Sequence, residues 1–323
     1  MPVKNSQSGI ALLIVLWILM ILMVIVFSFA VMTRSENQGL LAFKEGLEKK
    51  FLAEAGVNRG IMEIVYRSVN LHQAAFEGHE VWRLDGTPYE ISMGSDRYRV
   101  RIMSERGKIS LNSLTDASGI LLKNLLINRG GAPQTADVIV DSILDWKDSD
   151  DLHRLSGAEN DYYLSLPKPY KARNAGFETL EELIYVRGMT PEILYGEDQK
   201  KGLINFLSIA GTTNSISLNE APLEILAALP GMDAEKAQRL MEFRAAAEIR
   251  KAEDVKEILG ESYPLTAPYI ASTAETGTSV FSIEATGFKG NRKFGYTIAA
   301  TVAFDGPKRY YYRYYKSPAD MTP

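Results

Sequence analysis

IALLIVLWILMILMVIVFSFAVM, residues 10–32, is an unbroken apolar run with no charge and a single hydroxyl, Ser28. As a helix it is ~34 Å long, enough to cross ~30 Å of hydrocarbon. Leu, Ile and Val are favourable at the centre of a bilayer, so spanning is the low-energy position for this segment. A buried core helix would be shorter and would carry a polar stripe. The helical pattern does not end at Met32. TRSENQGLLAFKEGLEKKFLAEAGVNRGIMEIVYRS, residues 33–68, places Leu40, Leu41, Phe43, Leu47, Phe51, Leu52, Ala55, Val57, Ile61, Ile64 and Val65 close to a 3.6-residue stripe. No proline interrupts it before Pro88. A cleaved secretory signal has an apolar region of only ~7–15 residues. The reading is a membrane-spanning half that runs straight into an amphipathic half.

Composition bounds the remainder. At 323 residues, with 46% hydrophobic and 24% charged, the chain has room for two or three domains and is not disordered. Lys plus Arg is 36 against 40 Asp plus Glu, a net charge of −4, which is the wrong sign for default polyanion binding. The absence of cysteine excludes disulfides, thiolate metal sites and thiol nucleophiles. Only His72, His79 and His153 are present, too few for a multi-histidine metal site.

The long helix should be followed by a β-rich region. VWRLDG, PYEISMG and DRYRVRIMSERGKISL read as short strands separated by turns at Asp85-Gly86 and Gly94-Ser95-Asp96. Strand-like runs come back at the C-terminus. FSIEATGF, FGYTIAATVAF and RYYYRYYK, with KGNRK and Asp305-Gly306-Pro307 between them, form an antiparallel meander. The tyrosines of the last strand face both ways, which suits either a half-buried strand or a protein-contact surface. Between the two β regions the chain is mainly helical and echoes itself. Ile109-Ser110-Leu111-Asn112 recurs as Ile216-Ser217-Leu218-Asn219, and residues 177–196 match 249–261 more loosely. Each Asn is read as an N-cap or turn residue orienting the next helix. The fold class is therefore α+β: a long N-terminal helix on an antiparallel sheet, interrupted by a large inserted α-helical domain whose flanking strands pair across the gap. The expected boundaries are 1–9 for a leader, 10–32 for the transmembrane helix and 33–70 for its amphipathic continuation. Residues 71–112 and 276–323 form the two parts of the β region, around an insert at 113–275.

Two clusters can carry chemistry. DSILDWKDSDDLHRLSGAENDYY, residues 141–163, holds Asp141, Asp145, Asp148, Asp150, Asp151, Glu159 and Asp161. Crowded carboxylates repel, and a hard divalent cation such as Ca²⁺, which takes 6–8 oxygens, relieves the repulsion. An EF-hand pattern is not met. The competing reading is a solvated acidic loop whose aspartates cap helices and pair with Arg154 and Arg173. The second cluster, residues 218–245, reads as a helix-hairpin-helix turning at Leu229-Pro230-Gly231. DNA-binding versions place loop N–H groups on a phosphate; here Asp233 would repel it, so no nucleic acid is expected. No G-x-S-x-G, P-loop, H-E-x-x-H or G-x-G-x-x-G motif occurs, so the chain is read as a non-enzyme.

The leader MPVKNSQSG, with Gly9 just before Ile10, resembles a class III, prepilin-type leader, which in that family is cut after the glycine by the prepilin peptidase. An uncleaved signal anchor is the alternative. The whole chain resembles the protein K family of type II secretion systems (general secretion pathway protein K), a family of minor pseudopilins. The residues that carry this are Gly9-Ile10, GKISLN (107–112), SILDWKDSDD with GAENDYY, FETLEEL with GMTPEIL, SLNEAPLEILAALPG and SVFSIEATG.

The resemblance implies processing at Gly9 and Ile10 with N-methylation, and a single pass of the inner membrane with periplasmic soluble domains. It further implies a role at the pseudopilus tip in protein export, and I and J minor pseudopilins as partners. Pilin-like chains usually carry Glu as the fifth mature residue; here it is Ile14, which suits a subunit with nothing stacked above it. The resemblance also implies calcium in the α-domain, with Asp145, Asp148, Asp150, Asp151 and Glu159 as candidate ligands. A DNA receptor of competence type and a minor pilin of a type IV pilus are the alternative functions.

Overall fold

The computed structural model describes residues 8–69, 82–197, 200–211, 213–271, 279–306 and 309–319. The leader at 1–7 and the start of the expected β region, 71–81 with His72 and His79, lie outside the described residues.

Helix α1 (Ser8–Val69) is continuous, as an apolar run joined to an amphipathic run without proline should be. The segment from Ile10 onward is long and apolar enough to cross a membrane, and its most apolar window is buried against nothing else among the described residues. Strands β1 (Asp85–Met93) and β2 (Asp96–Ser104) follow as a hairpin. Then come β3 (Ile109–Ser110), α2 (Gly119–Asn128), α3 (Pro133–Lys147), α4 (Asn160–Leu164), α5 (Pro191–Tyr195), β4 (Gly196–Glu197), β5 (Lys200–Lys201) and β6 (Leu207–Ser208). Four helices, α6 (Leu223–Ala228), α7 (Ala234–Ala246), α8 (Lys256–Leu259) and α9 (Tyr263–Thr266), lead to β7 (Ser279–Phe288), β8 (Tyr296–Phe304) and β9 (Tyr310–Lys316).

The main sheet has the order β1-β2-β7-β8-β9 and is antiparallel throughout. Its centre is the β2–β7 pair, from Arg97 opposite Phe288 to Ser104 opposite Phe281, so the strands on either side of the helical region do pair across it. Alternation explains the register: Tyr98, Val100 and Ile102 of β2, with Ile283 and Ala285 of β7, point to one face. That face is covered by Ala53, Val57, Ile61 and Ile64 of α1. The approach is close because Gly56 of α1 has no side chain; a Cβ there would meet Ala285 Cβ at 2.9 Å. A second core lies wholly within the helical region, around Leu122, Ile143, Tyr163, Leu183, Phe206 and Leu226.

Two ion pairs are buried beside the sheet, and the first joins it to the helical region. Arg244 of α7 donates to Asp85 Oδ2 at 2.7 Å and to the Leu218 and Ala221 carbonyls. Lys108 donates to Glu105 at 2.5 Å, and the Ser282 hydroxyl of β7 donates to the same carboxylate.

Three expectations need correction. Asp85-Gly86 does not reverse the chain between two strands but opens β1, at a register shift between Asp85 and Pro88. Its turn chemistry stays local: Asp85 Oδ1 accepts from the Thr87 N–H with Gly86 at φ 86°, while Oδ2 is taken by Arg244. Residues 82–84 of the VWRLDG run form no strand: Trp82 and Leu84 are buried outside any strand, with Trp82 stacked on Tyr89. Asn112 and Asn219 lie in turns, one of the two positions expected, but neither is the N-cap of the following helix. Asn112 Nδ2 donates to the Phe177 carbonyl and its Oδ1 accepts from the Phe177 N–H. Asn219 does the same to Ile249. An amide side chain has N–H donors on one atom and an acceptor oxygen on the other, so it pairs with a peptide as a strand would. The two echoes in sequence are thus joined in space: each Asn grips the first residue of its loosely matched partner segment.

Candidate metal centre

Helix α3 ends in the acidic run. Asp145 sits on its last turn, fully buried, and Asp148 follows as the C-cap. The chain loops outward and returns through Gly157 to Glu159, the N-cap residue of α4, which is 1% exposed. Gly157 is required by contact: a Cβ there would overlap the Asp145 carboxylate. Trp146 meets Tyr163 edge-on at 5.1 Å, which fixes the end of α3 against α4.

Arg154, from the loop, reaches into this cluster. Its Nη1 donates to Asp145 Oδ1 at 2.8 Å and to Asp148 Oδ2 at 2.7 Å, and its Nε donates to Asp116 at 2.8 Å. One guanidinium does not satisfy three inward carboxylates. Candidate ligand oxygens of Asp145, Asp148 and Glu159 all lie within 4.8 Å of one another. Both oxygens of Glu159 and Oδ1 of Asp148 are buried without a hydrogen-bond partner among the described residues. Burial, followed by the charges of Asp145, Asp148, Asp151 and Asp150, pushes the Glu159 carboxyl up to about 7. Burial also raises Asp145 despite Arg154. Arg154 is raised in turn, chiefly by its hydrogen bond to Asp116. Buried, mutually repelling carboxylate oxygens with no donor are what a divalent cation fits.

The structure thus brings together Asp145, Asp148 and Glu159 from the five candidates. Asp150 and Asp151 lie at the exposed rim: Asp150 accepts from the Leu152 N–H, and Asp151 accepts from Asn160 Nδ2 at 2.7 Å. Asp141 accepts from the Ser156 N–H, and His153 Nε2 pairs with Asp161 at 2.8 Å. Arg173 does not serve the cluster; it pairs with Glu178 and Glu182. Asn174 was missed by sequence reading. It has φ 49°, donates to the Asp150 carbonyl, and leaves its Oδ1 buried and without a partner. The signal available was the Asn174-Ala175-Gly176 turn composition.

The helix-hairpin-helix is present as α6–α7, and the structure shows a second one. VRGMTPEIL (186–194) matches LPGMDAEKA (229–237) position by position, with Gly188 and Gly231 at φ 83° and 77°. Thr190 and Asp233 each accept from the N–H three residues on, at Ile193 and Lys236. Asp233 also takes Lys236 Nζ at 3.0 Å. A carboxylate therefore occupies the helix start on which a phosphate would sit.

At the other end of the molecule, Ile10 and Ile14 are exposed on α1, and Gly9 lies within that helix.

Residues 107–195 match the family described as Type II secretion system (T2SS), protein K. The chain is 23% identical over 265 residues to Type II secretion system protein K of Pseudomonas aeruginosa, covering 78% of this chain and 76% of the relative. It is 27% identical over 225 residues to Putative type II secretion system protein K of Escherichia coli K12, covering 67% of each. Its fold is that of a chain in the crystal structure of the GspK–GspI–GspJ complex from enterotoxigenic Escherichia coli, with TM-score 0.62, 15% identity, and coverage of 88% of this chain and 100% of that one. These matches bear out the family resemblance and the fold class drawn from the sequence.

Proposed function

We propose that this chain, whose residues 107–195 carry the type II secretion protein K domain, is a non-enzymatic minor pseudopilin that initiates or caps the pseudopilus and so supports protein export. The observation that carries the reading is the β2–β7 pair: a pilin-like helix and sheet, split at its centre by a folded helical body. A subunit stacked above would have to share space with that body, so the chain suits only the end of a fibre. The related complex with GspI and GspJ makes I and J minor pseudopilins the expected neighbours.

In this reading residues 10–32 anchor the chain in the inner membrane with the folded part in the periplasm. The leader is removed after Gly9, which frees an amine at Ile10. Ile14 brings no carboxylate into the hydrocarbon, where an acidic residue costs ~2.5–3.5 kcal/mol. Asp145, Asp148 and Glu159 would hold a divalent cation, with calcium favoured by an all-oxygen donor set. Bound there, it supplies positive charge that ties the end of α3 to the start of α4. Arg154 holds Asp145 and Asp148 in place from the opposite side. Asp233 weighs against a DNA receptor, and the protein K matches weigh against a type IV pilus minor pilin.

The test is N-terminal sequencing of the protein from cells with and without prepilin peptidase. The reading expects a start at Ile10 only when the peptidase is present; a start at Met1 in both would refute it.

A further inference from the structure

Helix α1 fixes which end of the sheet faces the membrane. Strand β7 runs against it, with Ile283 at Gly60, Ala285 at Gly56, and Gly287 against Lys49 and Ala53. The β7–β8 turn, residues 289–295, therefore points back along α1 toward the apolar span, and so does the β1–β2 turn, since Arg97 pairs with Phe288. The β7–β8 turn carries Lys289, Arg292 and Lys293 with no acidic residue, and it ends in Phe294, 76% exposed. Lys289 is tied to Glu48 and Asp96, and Arg292 to Glu45, which locks the turn to the helix. No ion pair holds Lys293 among the described residues. Beneath this overhang lies Phe43, also largely exposed. It precedes Val57 by fourteen residues, so it lies within about 40° of the side of α1 that faces the sheet.

We propose that, before assembly, the head leans on the bilayer through this basic, Phe-tipped hairpin, which recognises anionic phospholipid headgroups. The proposal rests on the reading of α1 as a membrane anchor. From Met32 to Glu45 the helix rises ~20 Å, and the headgroup layer fills ~6 Å of that. An upright helix would hold the hairpin clear of the surface. The hairpin is offset from the helix axis by about 10 Å, one packed layer. A tilt of about 40° toward the sheet, at the upper end of the range for spanning helices, then brings the tip to within a side chain's length of the headgroups. Screening at physiological salt acts over ~8 Å, so the cations sense anionic lipid as the head descends. The same lean turns Phe43 and Phe294 toward the interface, where aromatic side chains are favoured.

The chain has no cysteine, so single labels are clean. Full-length protein carrying Asn291→Cys, Glu235→Cys or Val24→Cys is labelled with an environment-sensitive fluorophore and placed in nanodiscs containing headgroup- or chain-nitroxide lipids. The result expected is headgroup quenching at position 291 but not at 235 on α7. The quenched population should rise ~5-fold when anionic phosphatidylglycerol replaces part of the phosphatidylcholine, the gain expected from one basic residue near an anionic surface. Arg292→Gln with Lys293→Gln should abolish that rise. If position 24 is quenched from within the bilayer while 291 is not quenched from the headgroups, the hairpin reading is overturned and the anchor stands. If position 24 is not quenched, both fall. Equal quenching at 291 in neutral and anionic discs overturns the headgroup recognition.

Discussion

Glu159→Gln should make the metal-free protein more stable above neutral pH, and should remove most of its response to calcium. In the folded chain the Glu159 carboxyl is pushed from an ordinary 4.5 up to about 7 by burial and by neighbouring aspartates. A folded value above the unfolded one means that the folded state holds the proton more tightly. Below pH 4.5 both states are protonated and nothing is lost. As pH rises through 7, the folded state must carry an unfavourable charge that the unfolded chain carries freely. The move from 4.5 to about 7 is worth ~3 kcal/mol at ~1.4 kcal/mol per pH unit. Gln cannot ionise, and its amide can donate to Asp145 or Asp148, so the variant escapes that loss. Calcium at 100 times its dissociation constant would restore ~2.7 kcal/mol to the wild type by mass action. The assay is denaturant unfolding of wild type and variant in chelator or excess calcium, at pH 5 and pH 8, followed by a probe of the helical region. The expected pattern is a gain of ~3 kcal/mol for the variant at pH 8 in chelator, shrinking at pH 5. If the variant is no more stable than wild type at pH 8 without metal, the assignment of Glu159 as a frustrated buried carboxylate is wrong.

Other consequences follow from the packing. Arg244→Ala leaves Asp85 buried without its partner and should cost ~3–5 kcal/mol, whereas Arg244→Met with Asp85→Leu should recover much of it; thermal unfolding and limited proteolysis would read the difference. Gly56→Leu puts side-chain atoms into the contact with Ala285 and Val100, so a loss of at least ~1–3 kcal/mol is expected, seen as early unfolding of the sheet. Asn219→Ala leaves the Ile249 N–H and C=O without their partner and should cost ~1–3 kcal/mol per buried orphan, with faster amide exchange at Ile249. Ile14→Glu should impair initiation of fibres, since the added carboxylate lacks a partner at the tip; normal assembly of that variant at every position would count against the tip assignment.

Much of this architecture is visible in the sequence, because period and length carry it. A 23-residue uncharged run feeding a 3.6-residue stripe admits one helix, and α1 is that helix. Alternation in DRYRVRIMS and SIEATGF marks strands that must share a face, whatever lies between them. Local turn chemistry is less dependable. Gly94-Ser95 makes the β1–β2 turn, with Gly94 at φ 64°, whereas Asp85-Gly86 makes only a local bend at the shifted start of β1, with one carboxylate oxygen on the Thr87 N–H and the other on the distant Arg244. The acidic cluster shows the same limit. Composition places the charge, but not which carboxylates point inward. Asp145 is buried by its place on α3 and Glu159 by the return of the loop at Gly157, whereas Asp150 and Asp151 fall on the outer bend. No spacing rule reports that. Asn112 and Asn219 were legible as a repeat but not as clamps, since their partners lie in segments distant along the chain.

Whether the chain takes the proposed place at the end of a fibre can be read directly. Gold particles against an epitope appended to the C-terminus, imaged on pseudopili from cells that overproduce the shaft subunit, count its positions. The account predicts one label at a single end of each fibre and none along the shaft. Labels spaced along the length would contradict it, because a helical body inserted between β2 and β7 could then be accommodated beneath a neighbour.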